Sequence, residues 1–241
     1  MSLATLSSLL TKHLGLKSTP VGVQPAAAAP AGVSTFSGKV PSACSLWRLA
    51  EKGTFFAPAD AHHNCPIGTY TMGLPITDGV GQMLNAFITH MSGVAYLDPA
   101  EVARIPRYDG AQAGYVYGPL ADFTAAPTLA VLWAGARQLM LLEEALGDIA
   151  WTSARAQVTG RPACAALAIA GNAGRASASV GCAGMRTFTE VADDLALVAI
   201  SGGLLADLEA KLLRTVEAND KMVAFYLAHK ANFPALATHA I

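Results

Sequence analysis

Four cysteines stand in two pairs along a chain of 241 residues, and the two pairs share one setting. Cys44 lies in the tripeptide SAC, and Cys65 follows 21 positions later in HHNCPIGTYTMG; Cys164 lies in PAC, and Cys182 follows 18 positions later in GCAGMRTFT. In each pair a small residue, Ala and Cys open a helical stretch and a Gly closes it. A short strand comes next, then a Cys followed by a Gly and a Thr-aromatic neighbourhood. Two copies of one pattern imply halves related by a pseudo-twofold axis, with equivalent sites brought together near it. Thiolates are soft ligands that suit an iron–sulfur cluster or zinc. A cysteine at a helix start has its thiolate stabilised by free N–H groups and the helix dipole, which favours ligation and nucleophilic reactivity alike. The spacings lack a tight C-x-x-C, so three readings stay open: a shared metal or cluster, reactive thiols without metal, and cysteines that act as small core hydrophobes.

The neighbours of the cysteines extend these alternatives. His62 and His63 are adjacent, so their side chains point in different directions and at most one aims where Cys65 aims. That one could support a metal, or serve as base to Cys65 as nucleophile; the alternative is an ordinary loop histidine. Arg48 and Arg186 each lie four residues beyond a cysteine, where a guanidinium could neutralise a thiolate or hold an anion, or simply be structural. The glycines after Cys65 and Cys182 would let backbone amides approach the sulfurs. The chain carries no Walker loop, no G-x-G-x-x-G after a strand, no H-E-x-x-H and no G-x-S-x-G, so nucleotide, zinc-protease and serine-hydrolase chemistry find no support.

Composition narrows the partners. Sixteen basic against 17 acidic residues give a net charge of -1 with no Lys/Arg run, which argues against nucleic acid. Hydrophobic residues at 53% are enough for a full core. Abundant Ala and Gly with a mean hydropathy of +0.39 suit tightly packed interfaces and a homodimer that covers part of the apolar surface. The start MSLATLSSLLTKHLGL lacks a basic n-region and a cleavage site, and Arg137 breaks the apolar run 128–142, so no membrane span is expected and the location is read as cytoplasmic. In that compartment disulfides are disfavoured, which turns paired cysteines toward metal or redox work.

The elements that must position these residues follow from periodicity. Leu3, Leu6, Leu10 and Leu14 line one helix face, ended by Gly15. PVGV predicts a strand, 42–52 a helix capped by Ser42 with Leu46 and Leu49 inward, TFFA a strand, and 79–91 a helix with Val80, Leu84, Phe87 and Ile88 on one side. LDPAEVARIPRYDG reads as an exposed loop. TLAVLWA predicts a buried strand, 136–146 a helix with Leu139, Leu142 and Leu146 inward, ACAALAIAGNAG a helix, and ASASVG and LALVAIS strands. A long C-terminal helix over 204–229 carries Leu205, Leu208, Leu212, Val216 and Val223 as its buried stripe. The expected class is α/β or α+β: one domain over 1–241, a mixed sheet with flanking helices, and internal halves at 16–95 and 125–205.

At these same residues the sequence resembles the ArCR-like family, domain of unknown function 169. The likeness rests on the PVGV strand, the Cys44 helix, NCPIGTYTMGL around Cys65, LAVLWA with the helix after it, PAC at Cys164 and GCAGMRTF around Cys182. The resemblance implies that cysteines recur at these four places, with a Gly and an Arg after the last, as Gly184 and Arg186 stand here; it implies no reaction and names no substrate. The leading expectation is a protein that holds an iron–sulfur cluster, such as a 4Fe-4S centre, through Cys44, Cys65, Cys164 and Cys182, for redox work or small-ligand activation. Zinc or no cofactor is the alternative. The rival functions are an enzyme with Cys65 as nucleophile and His62 or His63 as base, and a non-catalytic small-ligand binding or sensor module.

Overall fold

The computed structural model describes residues 2–152, 162–230 and 232–233; residues 153–161, inside the expected second half, lie outside the described residues. In chain order the elements are α1 (Leu3–Leu14), β1 (Val21–Ala26), β2 (Ser34–Thr35), α2 (Ala43–Ala50), β3 (Phe55–Pro58), α3 (Pro66–Thr71), α4 (Asp78–Gly93), α5 (Pro99–Val102) and β4 (Gly114–Pro119). There follow β5 (Leu129–Ala134), α6 (Ala136–Leu146), β6 (Ile149–Thr152), α7 (Ala165–Ala173), β7 (Ala176–Ser179), α8 (Ala183–Thr189), β8 (Ala196–Ser201) and α9 (Leu205–Lys230).

The strands form one mixed eight-stranded sheet in the order β2-β3-β4-β1-β5-β8-β7-β6. Read from either edge the order is the same: a parallel outer pair, then antiparallel pairs to the centre, where β1 lies antiparallel to β5. The central register pairs Val21 with Val131, Gly22 with Ala130 and Val23 with Leu129. That register is its own image under a twofold axis normal to the sheet at the Gly22–Ala130 pair. By strand content the first half runs on to Pro119, past residue 95, because β4 completes it.

Alternation along the central strands divides the core into two layers. Leu129, Val131 and Trp133 of β5 face one side, with Cys44, Trp47, Cys164, Leu167 and Met185. Ala130, Leu132 and Ala134 face the other, against Leu6, Leu10 and Leu14 of α1, Leu141 and Leu142 of α6, and Leu205, Leu208 and Leu212 of α9. All six residues of β5 are buried, as for a strand covered on both faces. The cysteines thus belong to one face only, opposite α1, α6 and α9.

Several details differ from expectation. Leu49 is 40% exposed, because Cys44, Leu46, Trp47 and Ala50 already fill the inner face of the short α2. In α6 the deepest positions are Leu141, Leu142 and Ala145, with Leu139 and Leu146 partly buried beside them. The expected loop LDPAEVARIPRYDG turns inward: Asp98 caps α5, Pro99 opens it, and Leu97, Glu101 and Ile105 are buried. In α4 only Val80 is buried. Burial along α9 stops at Val216, and Val223 is 44% exposed. The 26 residues of α9 span about 39 Å. The six residues of β8 beneath it span about 20 Å, so the distal half of the helix runs past the sheet. No helix among the described residues is long and apolar enough to cross a membrane.

Candidate functional site at the four cysteines

Each cysteine sits at the first turn of a helix. Ser42 caps α2, its Oγ accepting the Cys44 N–H at 3.3 Å. Cys164 immediately precedes α7 and its carbonyl accepts the N–H of Leu167 at 3.0 Å. Cys65 precedes α3, with Pro66 at the first helical position, and its carbonyl receives the Thr69 N–H at 2.8 Å and the Thr69 hydroxyl at 3.1 Å. Cys182 precedes α8 and its sulfur accepts the Met185 N–H at 3.5 Å. The succession Cys, helix, strand, Cys, helix is the same in both halves. Across the halves α2 packs on α8, where the Ser45 hydroxyl donates to the Phe188 carbonyl at 3.3 Å.

All four cysteines line one cavity of about 450 Å³. Burial, first of all, pushes the thiols of Cys44 and Cys164 well above the ordinary range; each is raised further by neighbouring thiols, Cys182, Cys164 and Cys65 for Cys44, and Cys65 and Cys182 for Cys164. Cys65 is also raised by burial, opposed by the backbone N–H groups of Ala43 and Gly68. Cys44, Cys65 and Cys164 are therefore held as neutral thiols, and ionisation at a neighbouring thiol hinders each of them further. A bound cation would reverse that balance and expel protons.

The sulfurs border the cavity rather than meet at a point. Four thiolates on one tetrahedral zinc would stand about 3.8 Å apart, from a Zn–S bond of about 2.3 Å. Among the described residues no group of three or more His, Cys, Asp or Glu side chains is arranged to hold a single metal ion. A larger groove of about 790 Å³ between α6 and α9, lined by Met140, Glu144, Lys211, Arg214 and Met222, contains no thiol or histidine.

Of the other residues singled out in the sequence, His62, His63, Arg48 and Arg186, none lines the cavity. His62 is buried beneath β4: its Nδ1–H donates to the Pro58 carbonyl at 3.0 Å, and its Nε2 accepts from the Tyr117 hydroxyl at 2.9 Å. Burial lowers its pKa to about 4, so the ring is neutral and both nitrogens are engaged. Its ring is not among the groups that line the cavity. His63 does not line the cavity, and its Nε2 is buried with no hydrogen-bond partner among the described residues. Arg48 pairs with Glu51, which in turn accepts the indole N–H of Trp133 at 3.2 Å. The guanidinium of Arg186 ties together the carbonyls of Val180, Ala192 and Leu195 at 2.5, 2.8 and 2.7 Å, fixing the turn that carries Cys182. Neither arginine reaches the cavity lining.

The glycines divide. A Cβ on Gly68 would lie 2.8 Å from the Ala43 Cβ and 3.0 Å from the Cys65 sulfur, so α3 can close on that thiol only because the position is Gly. A Cβ on Gly184 would meet nothing within 4 Å.

The rim escaped sequence reasoning. Phe87, His90 and Met91 of α4 and Val94 at its C-terminal end line the cavity, with Leu97, Ile105 and Phe188. Their spacing of 0, 3, 4 and 7 positions was the available signal, but it is legible as a site only once α4 is known to face the thiols. Tyr96 also lines it, its hydroxyl oxygen accepting the Ala183 N–H at 3.0 Å. Among the described residues two non-glycines have positive φ, Ala95 at 55° and Glu190 at 54°, a conformation that costs about 1 kcal/mol. One leads directly into Tyr96 and the other ends the helix bearing Phe188, so both strained positions set this rim.

No curated protein and no solved structure shows significant similarity to the chain. The family described as uncharacterised ArCR, domain of unknown function 169, matches residues 9–211 and so takes in all four cysteines, both halves of the sheet and the proximal part of α9. The chain belongs to that uncharacterised ArCR family.

Proposed function

We propose that the protein binds an iron–sulfur cluster through Cys44, Cys65, Cys164 and Cys182 and uses it for redox chemistry or to activate a small ligand. The observation that carries this reading is that four free cysteines, two from each half, border one cavity. A donor set of sulfur alone suits a cluster, and sulfurs spread around a cavity suit a polynuclear centre better than one zinc ion. Such a group, when bound, would supply one-electron transfer or a Lewis-acidic iron. The chain's own part is to present the four sulfurs, to aim backbone N–H groups at Cys65 and Cys182, and to exclude water with the apolar wall of α4. A reducing cytoplasm fits four unpaired thiols. A second copy fits the exposed Met222, Phe225, Tyr226 and Leu227 of distal α9.

The competing thiol enzyme has less behind it, since His62 is committed to Pro58 and Tyr117 and burial makes Cys65 a poorer nucleophile. Anaerobic purification with iron and acid-labile sulfide analysis decides between them. The expected result is brown protein with matched iron and sulfide that is lost in Cys65→Ser and in Cys182→Ser but kept in His62→Ala and His63→Ala, all folded by circular dichroism. Colourless, iron-free protein whose Cys65 alone reacts with iodoacetamide would favour the thiol enzyme instead. Full iron in Cys65→Ser with loss in His63→Ala would overturn the four-thiolate assignment.

A further inference from the structure

The stripe of α4 that faces the thiols is not packed into a core. An amphipathic helix normally buries its apolar stripe against neighbouring side chains, yet α4 buries only Val80 while Phe87, Met91 and Val94 look onto the cavity. Phe87 and Phe188, each 47% exposed, stand at its rim on elements from the two halves. The backbone strain at Ala95 and Glu190 sits directly beside this wall. A volume of about 450 Å³ lies within the usual range of small-molecule sites.

We propose that α4 roofs a binding chamber for an uncharged small molecule with an aromatic or branched aliphatic body, held against Phe87, Met91, Val94 and Phe188 beside the four thiols. This names the ligand class of the same site, and it rests on the reading above only in placing that molecule next to the metal-binding sulfurs. Lining side chains among the described residues include no Asp, Glu, Lys or Arg. Among the described residues of such a wall an ion would lose its hydration without a charged partner. His90, on the same stripe, and Asn64 offer the polar atoms that would orient the ligand.

The test is calorimetric titration of the anaerobically purified full chain with three probes of one shape, 1-naphthol, 1-naphthoate and 1-naphthylmethylammonium, with iron measured in the same samples. The expected result is saturable binding of one 1-naphthol per chain, with both ions weaker by about tenfold or more. Met91→Trp, which fills the chamber, should weaken 1-naphthol by about tenfold or more, and Phe87→Ala at the exposed rim should weaken it measurably. Met83→Trp, on α4 but outside the lining, should leave it unchanged. Absence of saturable 1-naphthol binding, ions that bind as well as 1-naphthol, or equal effects of Met91→Trp and Met83→Trp would overturn the proposal. Iron content separates the two readings: 1-naphthol binding by iron-free wild type sustains the chamber while the cluster fails, and iron without 1-naphthol binding does the reverse.

Discussion

His62 should make the fold acid-sensitive in a defined window. Its folded pKa lies at about 4 against an ordinary 6.5, chiefly through burial, with the ring fixed between the Pro58 carbonyl and the Tyr117 hydroxyl. A depressed folded pKa means that the unfolded chain takes up the proton first as pH falls. The stability that neutral His62 provides is therefore full above about 6.5 and is lost as pH drops through the interval down to about 4. At about 1.4 kcal/mol per unit that interval is worth about 3 kcal/mol. Urea denaturation of metal-free protein between neutral pH and pH 4 measures it, with His62→Phe as the reference that cannot titrate. The variant is less stable at neutral pH because the Tyr117 hydroxyl loses its acceptor, a cost that does not vary with pH over this range. The difference between wild type and variant should shrink, and can reverse, by about 3 kcal/mol as pH falls to 4. Parallel profiles for the two proteins would refute the assignment of a buried neutral imidazole.

Two further pairs of substitutions test the packing at the site and along α9. Gly68→Ala should cost about 1–3 kcal/mol by overpacking against Ala43 and the Cys65 sulfur and should lower iron retention, whereas Gly184→Ala, with open space around it, should be neutral or slightly stabilising; thermal melts and iron analysis of the pair show whether the contrast holds. Leu208→Asp, fully buried between α9 and the sheet, should cost about 4 kcal/mol or more, while Leu227→Asp in the exposed distal half should change chain stability by no more than about 0.5 kcal/mol; denaturant titration distinguishes them, and sedimentation of Leu227→Asp reports on self-association.

What could be read from the sequence was what local periodicity encodes. α1, α2, α6, α7, α9 and the strands β1, β3, β5, β7 and β8 each show a run long or alternating enough to declare itself, and the two cysteine settings repeat in the same order. The six-residue α3 and seven-residue α8 are too short to show a helical period, although the residues that precede them, Cys65 and Cys182, are candidates from the sequence. β4 was missed despite its YVY core because flanking glycines obscured the run. Roles that depend on distant partners were illegible: His62 is defined by Tyr117, 55 residues away. Arg186 is defined by three carbonyls that converge only once the turn around Cys182 has closed. His90 needed the orientation of α4, which is set by a cavity rather than by a buried stripe.

The twofold arrangement explains why neither half could build this site alone. Each half supplies one thiol at the start of a longer helix, Cys44 or Cys164, and one at the start of a short helix, Cys65 or Cys182. Two sulfurs satisfy neither a cluster nor a tetrahedral ion, so four become available only when β1 and β5 pair and α2 docks on α8. In the metal-free chain the same docking buries Cys44 and Cys164, whose ionisation neighbouring thiols oppose, so the thiols add no charge attraction to the apolar packing at the junction. A ligated centre would replace that opposition with bonds from all four sulfurs to one group, and its binding energy would act on the junction itself. Metal binding, proton release and the docking of the halves are then one equilibrium. Loss of any single thiol should be felt in the stability of the half that did not contain it.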